Sequence, residues 1–429
     1  MQIQRSLAAA LFLLLFPAVS AVQNVRVQGA DFVNNVTSNR FQILGVAYQP
    51  GGQEAFGQGS DPLSNSTLCL RDAALMQGLG LNTIRVYNLD ALNPDDLDSS
   101  YSSTYLNRIF SVVEAFHSYP NILGFFSGNE VMNDVGDGKD VPPYVRAVTR
   151  DLNNYISKHS PRTIPVGYSA ADVKEILTDS WAYLSCAIDG DQEDPSRIEF
   201  FGLNSYSWCG PTSSTANYVA SSYDDLITEF VEPRVWDEVS VLYGNMTSVM
   251  SGGLVYEYYQ EESNNYGLVW LYENGTAEVR VDYDNLQNAY AKLDVKALQS
   301  GNSSATNIKA PKCSSDLISS DSFSKDFTLP SLPSGGQDLL NNGVKNPNRG
   351  KLVDVTQTQV ALPVYGSNGK QLQGLAIKPL AQDQSNVPGT GTSSGAQPSS
   401  SKKSGAVQVR SYATTGLLVV LAVLHSLIA

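Results

Sequence analysis

The chain has 429 residues, with Lys+Arg 28 against Asp+Glu 42, a net charge of −14 and 42% hydrophobic residues. That apolar content supports a large core and rules out disorder throughout. The acidic balance excludes a nucleic-acid binder, which needs a basic footprint.

Residues 1–21 read as a signal peptide: Arg5 is the only charge, Leu7 to Phe16 is apolar, and Val19-Ser20-Ala21 is a small-residue cleavage site. Apolar runs then alternate with amphipathic ones. The pattern predicts strands over 41–48, 83–87, 122–127, 163–168, 198–206 and 253–259. It predicts helices over 70–79, 105–118, 142–158, 173–184, 218–230, 235–250 and 283–297. One helix carries Leu106, Ile109, Phe110 and Val113 on a single face; another opens with Asp140 and two prolines and carries Val145, Val148, Leu152 and Ile156. Such alternation means an α/β protein with a parallel sheet, and at this length a TIM-type (β/α)8 barrel, here over 22–313. A barrel needs eight strands, and the pattern supplies six. Tyr87 leads through a short polar stretch straight into a helix, so one βα unit is lacking there. After Phe230 two helices meet across Val231-Glu232-Pro233-Arg234, so a strand is lacking there too.

Residues 314–385 form a small appendage with one hairpin signal, Asn368-Gly369. A Ser/Gly/Pro-rich linker follows over 386–404. Residues 405–429 read as a glycolipid-anchor propeptide. Ser404-Gly405-Ala406 are small, a polar spacer follows, and an apolar run from Gly416 to Ala429 is too short to span a bilayer comfortably as a helix. Ser404 is the expected attachment residue; the alternative is a tail that packs on the folded part. Secretion makes five sequons, Asn35, Asn65, Asn245, Asn274 and Asn302, candidates for N-glycans. It also places the cysteines where disulfides persist.

Three histidines (His117, His159, His425) and four cysteines (Cys69, Cys186, Cys209, Cys313) stand in no metal-ligand spacing, and no glycine-rich phosphate loop occurs. Neither metal nor other cofactor is expected. In a barrel the chemistry sits at the C-terminal strand ends. The sharpest signal there is Asn129-Glu130. A carboxylic acid in that place can protonate a glycosidic oxygen while the Asn holds the sugar 2-hydroxyl; the alternative is a surface Glu capping a loop. Tyr87, Tyr206, Trp208, Tyr256 and Tyr258 offer faces and hydroxyls to sugar rings, although single aromatics on strands are more often core.

Gly45-Val-Ala-Tyr-Gln49, Asn82-Thr-Ile-Arg-Val-Tyr87, Leu123-Gly-Phe-Phe-Ser-Gly-Asn-Glu-Val131, Phe200-Phe-Gly-Leu-Asn-Ser-Tyr-Ser-Trp-Cys-Gly210 and Ser251-Gly-Gly-Leu-Val-Tyr-Glu-Tyr258 stand in one order. Together they resemble the fungal β-1,3-glucanosyltransferases of glycoside hydrolase family 72. The resemblance implies a barrel enzyme of the outer plasma-membrane face and cell wall, a monomer whose partners are β-1,3-glucan donor and acceptor chains. It implies Glu130 as acid/base with Asn129 in support, and Tyr87, Asp172, Tyr206 and Tyr258 along the glucan cleft. It pairs Cys186 with Cys313 and leaves Cys69 and Cys209 without their partners. The family's nucleophile segment, Phe-Ser-Glu-Tyr-Gly-Cys, is absent, and its place is the junction after Phe230. Glu232 lies in the segment that should follow, so it is not promoted to nucleophile. Loss of coding segments explains the missing strands and cysteines together. The alternative is a glucan-binding wall protein that keeps the aromatics without the chemistry.

Overall fold

The computed structural model describes residues 23–52, 63–88, 92–205, 233–262, 264–302, 308–380, 384–389 and 419–424. The expected signal peptide, the helix over 218–230, Tyr206, Trp208, Cys209, Glu232 and Ser404 lie outside them.

All six expected strands form. They are β3 (Ile43–Ala47), β4 (Thr83–Asn88), β5 (Ile122–Asn129), β6 (Val166–Ala171), β7 (Phe200–Asn204) and β8 (Gly252–Val255), preceded by a hairpin of β1 (Val25–Gln28) and β2 (Asp31–Asn34). Every residue of β3, β5 and β6 is buried. Strands covered on both faces read as unbroken apolar runs, which is why these were legible. The helices wrap outside: α1 (Ser66–Leu79), α2 (Ser103–Phe116), α3 (Pro142–His159), α4 (Lys174–Ser185), α5 (Glu238–Leu242), α6 (Val281–Tyr290) and α7 (Gly336–Asn342). Asn65 caps α1 by accepting from the Thr67 and Leu68 amides, and Ser102 caps α2 through Tyr105 N. The expected stripes of α2 and α3 are buried, with Phe110 stacked on Tyr155 at 4.1 Å.

The sheet runs β7-β6-β5-β12-β4-β3-β8, all parallel, where β12 is Val419–Leu424. The C-terminal apolar run therefore lies between β4 and β5, in the place of the βα unit lacking after Tyr87. This corrects the expectation that the whole tail stands clear of the fold. The backbone reason is direct: with no strand of their own between them, β4 and β5 present two open ladders, and β12 pairs with both. The second shortfall also has a place. Among the described residues β7 and β8 are the outer strands of this seven-stranded sheet, unpaired to one another, where an eighth strand would close the barrel.

Three further expectations change. The β1–β2 hairpin was not foreseen. It closes the N-terminal end of the barrel, with Phe32 against Phe200 and Val25 beside Ile43 and Leu123. The helix over 235–250 shrinks to α5. The helix ends at Leu242 with Tyr243 as its cap, and at Gly244, just beyond, a Cβ would come within 2.5 Å of Ser240 O. The appendage over 314–385 is no separate lobe: Ile318, Phe323 and Leu340 join one barrel core, Val364 and Leu375 the other. Its expected hairpin forms, with Gly369 at φ 71°. Its strand β11 (Val364–Tyr365) lies parallel to β10 (Ala277–Val279), which pairs antiparallel with β9 (Val269–Leu271).

Cys186 and Cys313 are bridged as the resemblance implied, closing a separation of 127 residues. Cys69 keeps its thiol, which donates to Leu63 O at 3.7 Å. In the chain-entropy account the bridge is worth about 5 kcal/mol. The double Cys186→Ser/Cys313→Ser variant should lose roughly 2–5 kcal/mol in guanidinium unfolding; an unchanged midpoint would show that the loop is already held by packing. Truncation after residue 418 should open the β4 and β5 edges and give aggregation or a lower denaturation midpoint, read by light scattering and circular dichroism.

Candidate active site

The ends of the adjacent strands β5, β6 and β7, with Arg85 and Tyr87 of β4, build the site. Glu130 directly follows β5 with φ 51°, a left-handed backbone held by its amide, which donates to Ser169 O of β6 at 2.8 Å. Few non-glycine residues adopt that conformation, and the strain marks a position fixed by its surroundings. Asn204, the last residue of β7, donates through Nδ2 to Glu130 Oε1 at 2.6 Å and to Asn129 Oδ1 at 3.0 Å. Its Oδ1 accepts from Ser169 Oγ at 3.0 Å and Arg85 Nη1 at 3.2 Å. Arg85 Nη2 also donates to Asn129 Oδ1. The Arg85 guanidinium lies 4.7 Å from the Tyr87 ring centre and 4.8 Å from that of Phe126.

The network fixes Glu130 on one side and buries a cation beside it. Arg85 is 5% exposed, in the middle of an apolar strand. A buried guanidinium needs partners, and here they are two amide oxygens and two ring faces. Its Nε has no partner among the described residues. Sequence reasoning named Asn129, Glu130 and Tyr87 but gave no role to Arg85 or Ser169. The available signal was the charge inside Thr-Ile-Arg-Val-Tyr.

Tyr87 is buried. Burial pushes its phenol up; Arg85 pulls the other way, and the charges of Glu257 and Glu130 add to the rise. Tyr87 therefore keeps its phenol proton within electrostatic reach of two carboxyl groups. Glu257 follows β8 and is fully buried. Asn264 Nδ2 approaches its Oε1 at 3.4 Å, while Oε2 has no partner among the described residues. Burial foremost, then the Glu261 charge, raises its carboxyl from 4.5 to about 8. Asp172, just past β6, is half-buried, and burial raises its carboxyl against a hydrogen bond from Ser205.

Tyr258 is corrected. It is fully buried, with its hydroxyl donating to Asp72 Oδ1 at 2.9 Å. Tyr48 and Arg71 bind the same carboxylate at 2.8 Å each. Asp72 is 1% exposed, so its charge draws these groups towards α1 and away from the cleft. Tyr256 is half-buried at the strand end instead, its ring 5.9 Å from that of Tyr266. Of the sequons, Asn35, Asn65, Asn245, Asn274 and Asn302 all lie on described, exposed residues.

A family profile described as glucanosyltransferase matches residues 15–97 and 90–294. The match falls into two pieces that meet at 90–97, where the alternation had found a βα unit lacking. The 1,3-beta-glucanosyltransferase gel2 of Aspergillus fumigatus is 45% identical over 426 residues, covering 88% of this chain and 88% of that protein. That alignment is nearly as long as this chain yet takes in only 88% of it, so it crosses gel2 positions that have no counterpart here. The 1,3-beta-glucanosyltransferase GAS4 of Saccharomyces cerevisiae is 35% identical, covering 80% of each chain. Among solved structures, Saccharomyces cerevisiae Gas2p in complex with laminaripentaose superposes with a TM-score of 0.57 at 29% identity, over 73% of this chain and 78% of that one.

Glu257 gives a pH signature. Between about pH 4.5 and 8 the unfolded chain ionises this group while the folded one keeps its proton. The folded state then binds more protons, so this group's contribution to stability falls as pH rises. Glu257→Gln should be near neutral at about pH 4 and more stable than the parent by a few kcal/mol at about pH 8. Urea unfolding across that range checks it; parallel curves would contradict it.

Proposed function

The chain belongs to the glucanosyltransferases of glycoside hydrolase family 72, and on that premise we propose that it descends from, and with its missing segments restored acts as, a 1,3-β-glucanosyltransferase. In this reading the enzyme splits a β-1,3-glucan internally and passes the new reducing end to the non-reducing end of another glucan. The observation that carries the reading is the chain of hydrogen bonds from Arg85 through Asn129 and Asn204 to Glu130. With one oxygen held by Asn204, Glu130 can deliver its proton to the glycosidic oxygen in a fixed direction. Once the sugar is held as an ester, the same group can take the proton of the acceptor hydroxyl. In this reading Tyr87 supplies a neutral donor and Asn129 holds the sugar 2-hydroxyl.

The ester needs a second carboxylate about 5 to 5.5 Å from the first. Glu257 is a poor nucleophile at neutral pH because it keeps its proton up to about 8. The nucleophile's usual segment falls in the chain between β7 and β8. This favours a second reading for the chain as written: a glucan-binding wall protein without the covalent step.

The signal-like start, the sequons and the small-residue site before an apolar run support a secretory route and a glycolipid anchor at Ser404, on the outer face of the plasma membrane. An anchored chain has lost 405–429 and β12 with them. Such a protein needs the βα unit from its own coding sequence, and transcript sequencing across 90–101 and 230–235 tests that. A phosphatidylinositol-specific phospholipase should release the mature protein from membranes; retention after complete digestion would mean another attachment.

The catalytic test uses reduced laminari-oligosaccharides. The 429-residue chain should give no product longer than the donor. Restoring the βα unit after Tyr87 and the strand after Phe230 should give elongation, and Glu130→Gln in that chain should abolish it while leaving binding largely intact. Clear transfer by the chain as written would contradict the assignment of the nucleophile to the missing strand.

A further inference from the structure

Tyr272, Asn274 and Thr276 take the first, third and fifth places of the turn joining β9 to β10. Tyr272 N donates to Thr276 O at 2.9 Å, Gly275 N donates to Tyr272 O at 2.8 Å, and Gly275 has φ 86°. This is a type I turn closed by a glycine bulge. Asn274 is exposed at its tip, and its Oδ1 accepts from Thr276 N at 3.0 Å. That hydrogen bond polarises the amide and leaves Nδ2 as its reacting atom.

Two residues earlier, Tyr272 is 47% exposed, yet its hydroxyl donates to Glu278 Oε2 at 3.0 Å, so the ring is held in place. Val269, Ala277 and Val279 are buried on the core side. By the alternation of side chains, Trp270, Tyr272 and Glu278 share the outer face. An exposed aromatic with a fixed orientation is what a sugar ring stacks on. Among the described residues, no other sequon has one two residues before its Asn. Asn245 also has a tyrosine two residues before it, but Tyr243 is 5% exposed and donates to Ile43 O. Asn35 follows the buried Val33, Asn65 follows Leu63, and Asn302 follows Ser300.

We infer that Asn274 carries an N-glycan whose first sugar lies on the Tyr272 ring, so that the turn is built for the modification and is stabilised by it. The inference rests on the secretory route proposed above. Nδ2 attacks the anomeric carbon of a lipid-linked pyrophosphoryl oligosaccharide. The new N–C bond forms as the C–O bond to the pyrophosphate breaks, and the amide proton goes to a base of the transferring enzyme. The finished glycan covers the Tyr272 face, which water otherwise wets.

The test is glycopeptide mapping of the full chain secreted from a eukaryotic host, beside Tyr272→Ala, Tyr272→Phe and Asn274→Gln. The parent should be occupied at Asn274. Tyr272→Ala should lower occupancy there by roughly twofold or more, the low end of an aromatic contact, without changing the other sequons. Tyr272→Phe should keep it. Enzymatic removal of glycans should lower the melting temperature of the parent and of Tyr272→Phe, and have a smaller effect on Tyr272→Ala and Asn274→Gln. Asn274 empty while other sequons are filled overturns the inference alone, as does a glycan effect on melting that ignores Tyr272. Glycans at none of the five overturn it together with the secretory route.

Discussion

Each strand of a buried parallel sheet must find a hydrogen-bonding neighbour on both sides, and that requirement governs this molecule. Water cannot stand in for a missing ladder inside a barrel wall covered by helices. Six strands of the regular alternation leave two places unserved. The chain meets one by drawing in its own C-terminal run, and in the other β7 and β8 end the sheet as described. The site inherits the same dependence. Glu130 is set by the hydrogen bond from its backbone N–H to Ser169 O of β6, and its orientation by Asn204 on β7.

Arg85 shows how far that dependence reaches. β12 separates β4 from β5, so the two strands stand about two ladder spacings apart, roughly 9–10 Å. Only a long side chain with a forked head can cross that distance and still meet two amides. Lysine has the length but offers one point of contact. The residue that holds both amides beside the acid/base is thus also the one that ties the two halves of the barrel across the inserted strand.

What the sequence made legible follows from which signals are local. β3, β5 and β6 were visible because burial on both faces leaves unbroken apolar runs, and α2 and α3 because Leu106–Val113 and Val145–Ile156 keep helical spacing. Asn129-Glu130 was visible as a polar break at the end of such a run. The errors came from non-local causes. Tyr258 looks like a cleft aromatic until Asp72, far away in the chain, is seen to need its hydroxyl. The β1–β2 hairpin is too short to carry a period, and what makes it form is the open end of the barrel. That the tail would become a strand depends on a vacancy elsewhere, which no property of the tail records.

The segment after Cys313 is fastened at two distant places: through the disulfide and α7 on one side of the barrel, and through β11 beside β10 on the other. Between them runs an extended stretch in which Leu352 is 61% and Val353 is 80% exposed. That stretch is open to a protease. Because each cut end is still held by its own neighbours, a clipped chain stays assembled and migrates as one particle under native conditions. Only denaturing electrophoresis separates the pieces.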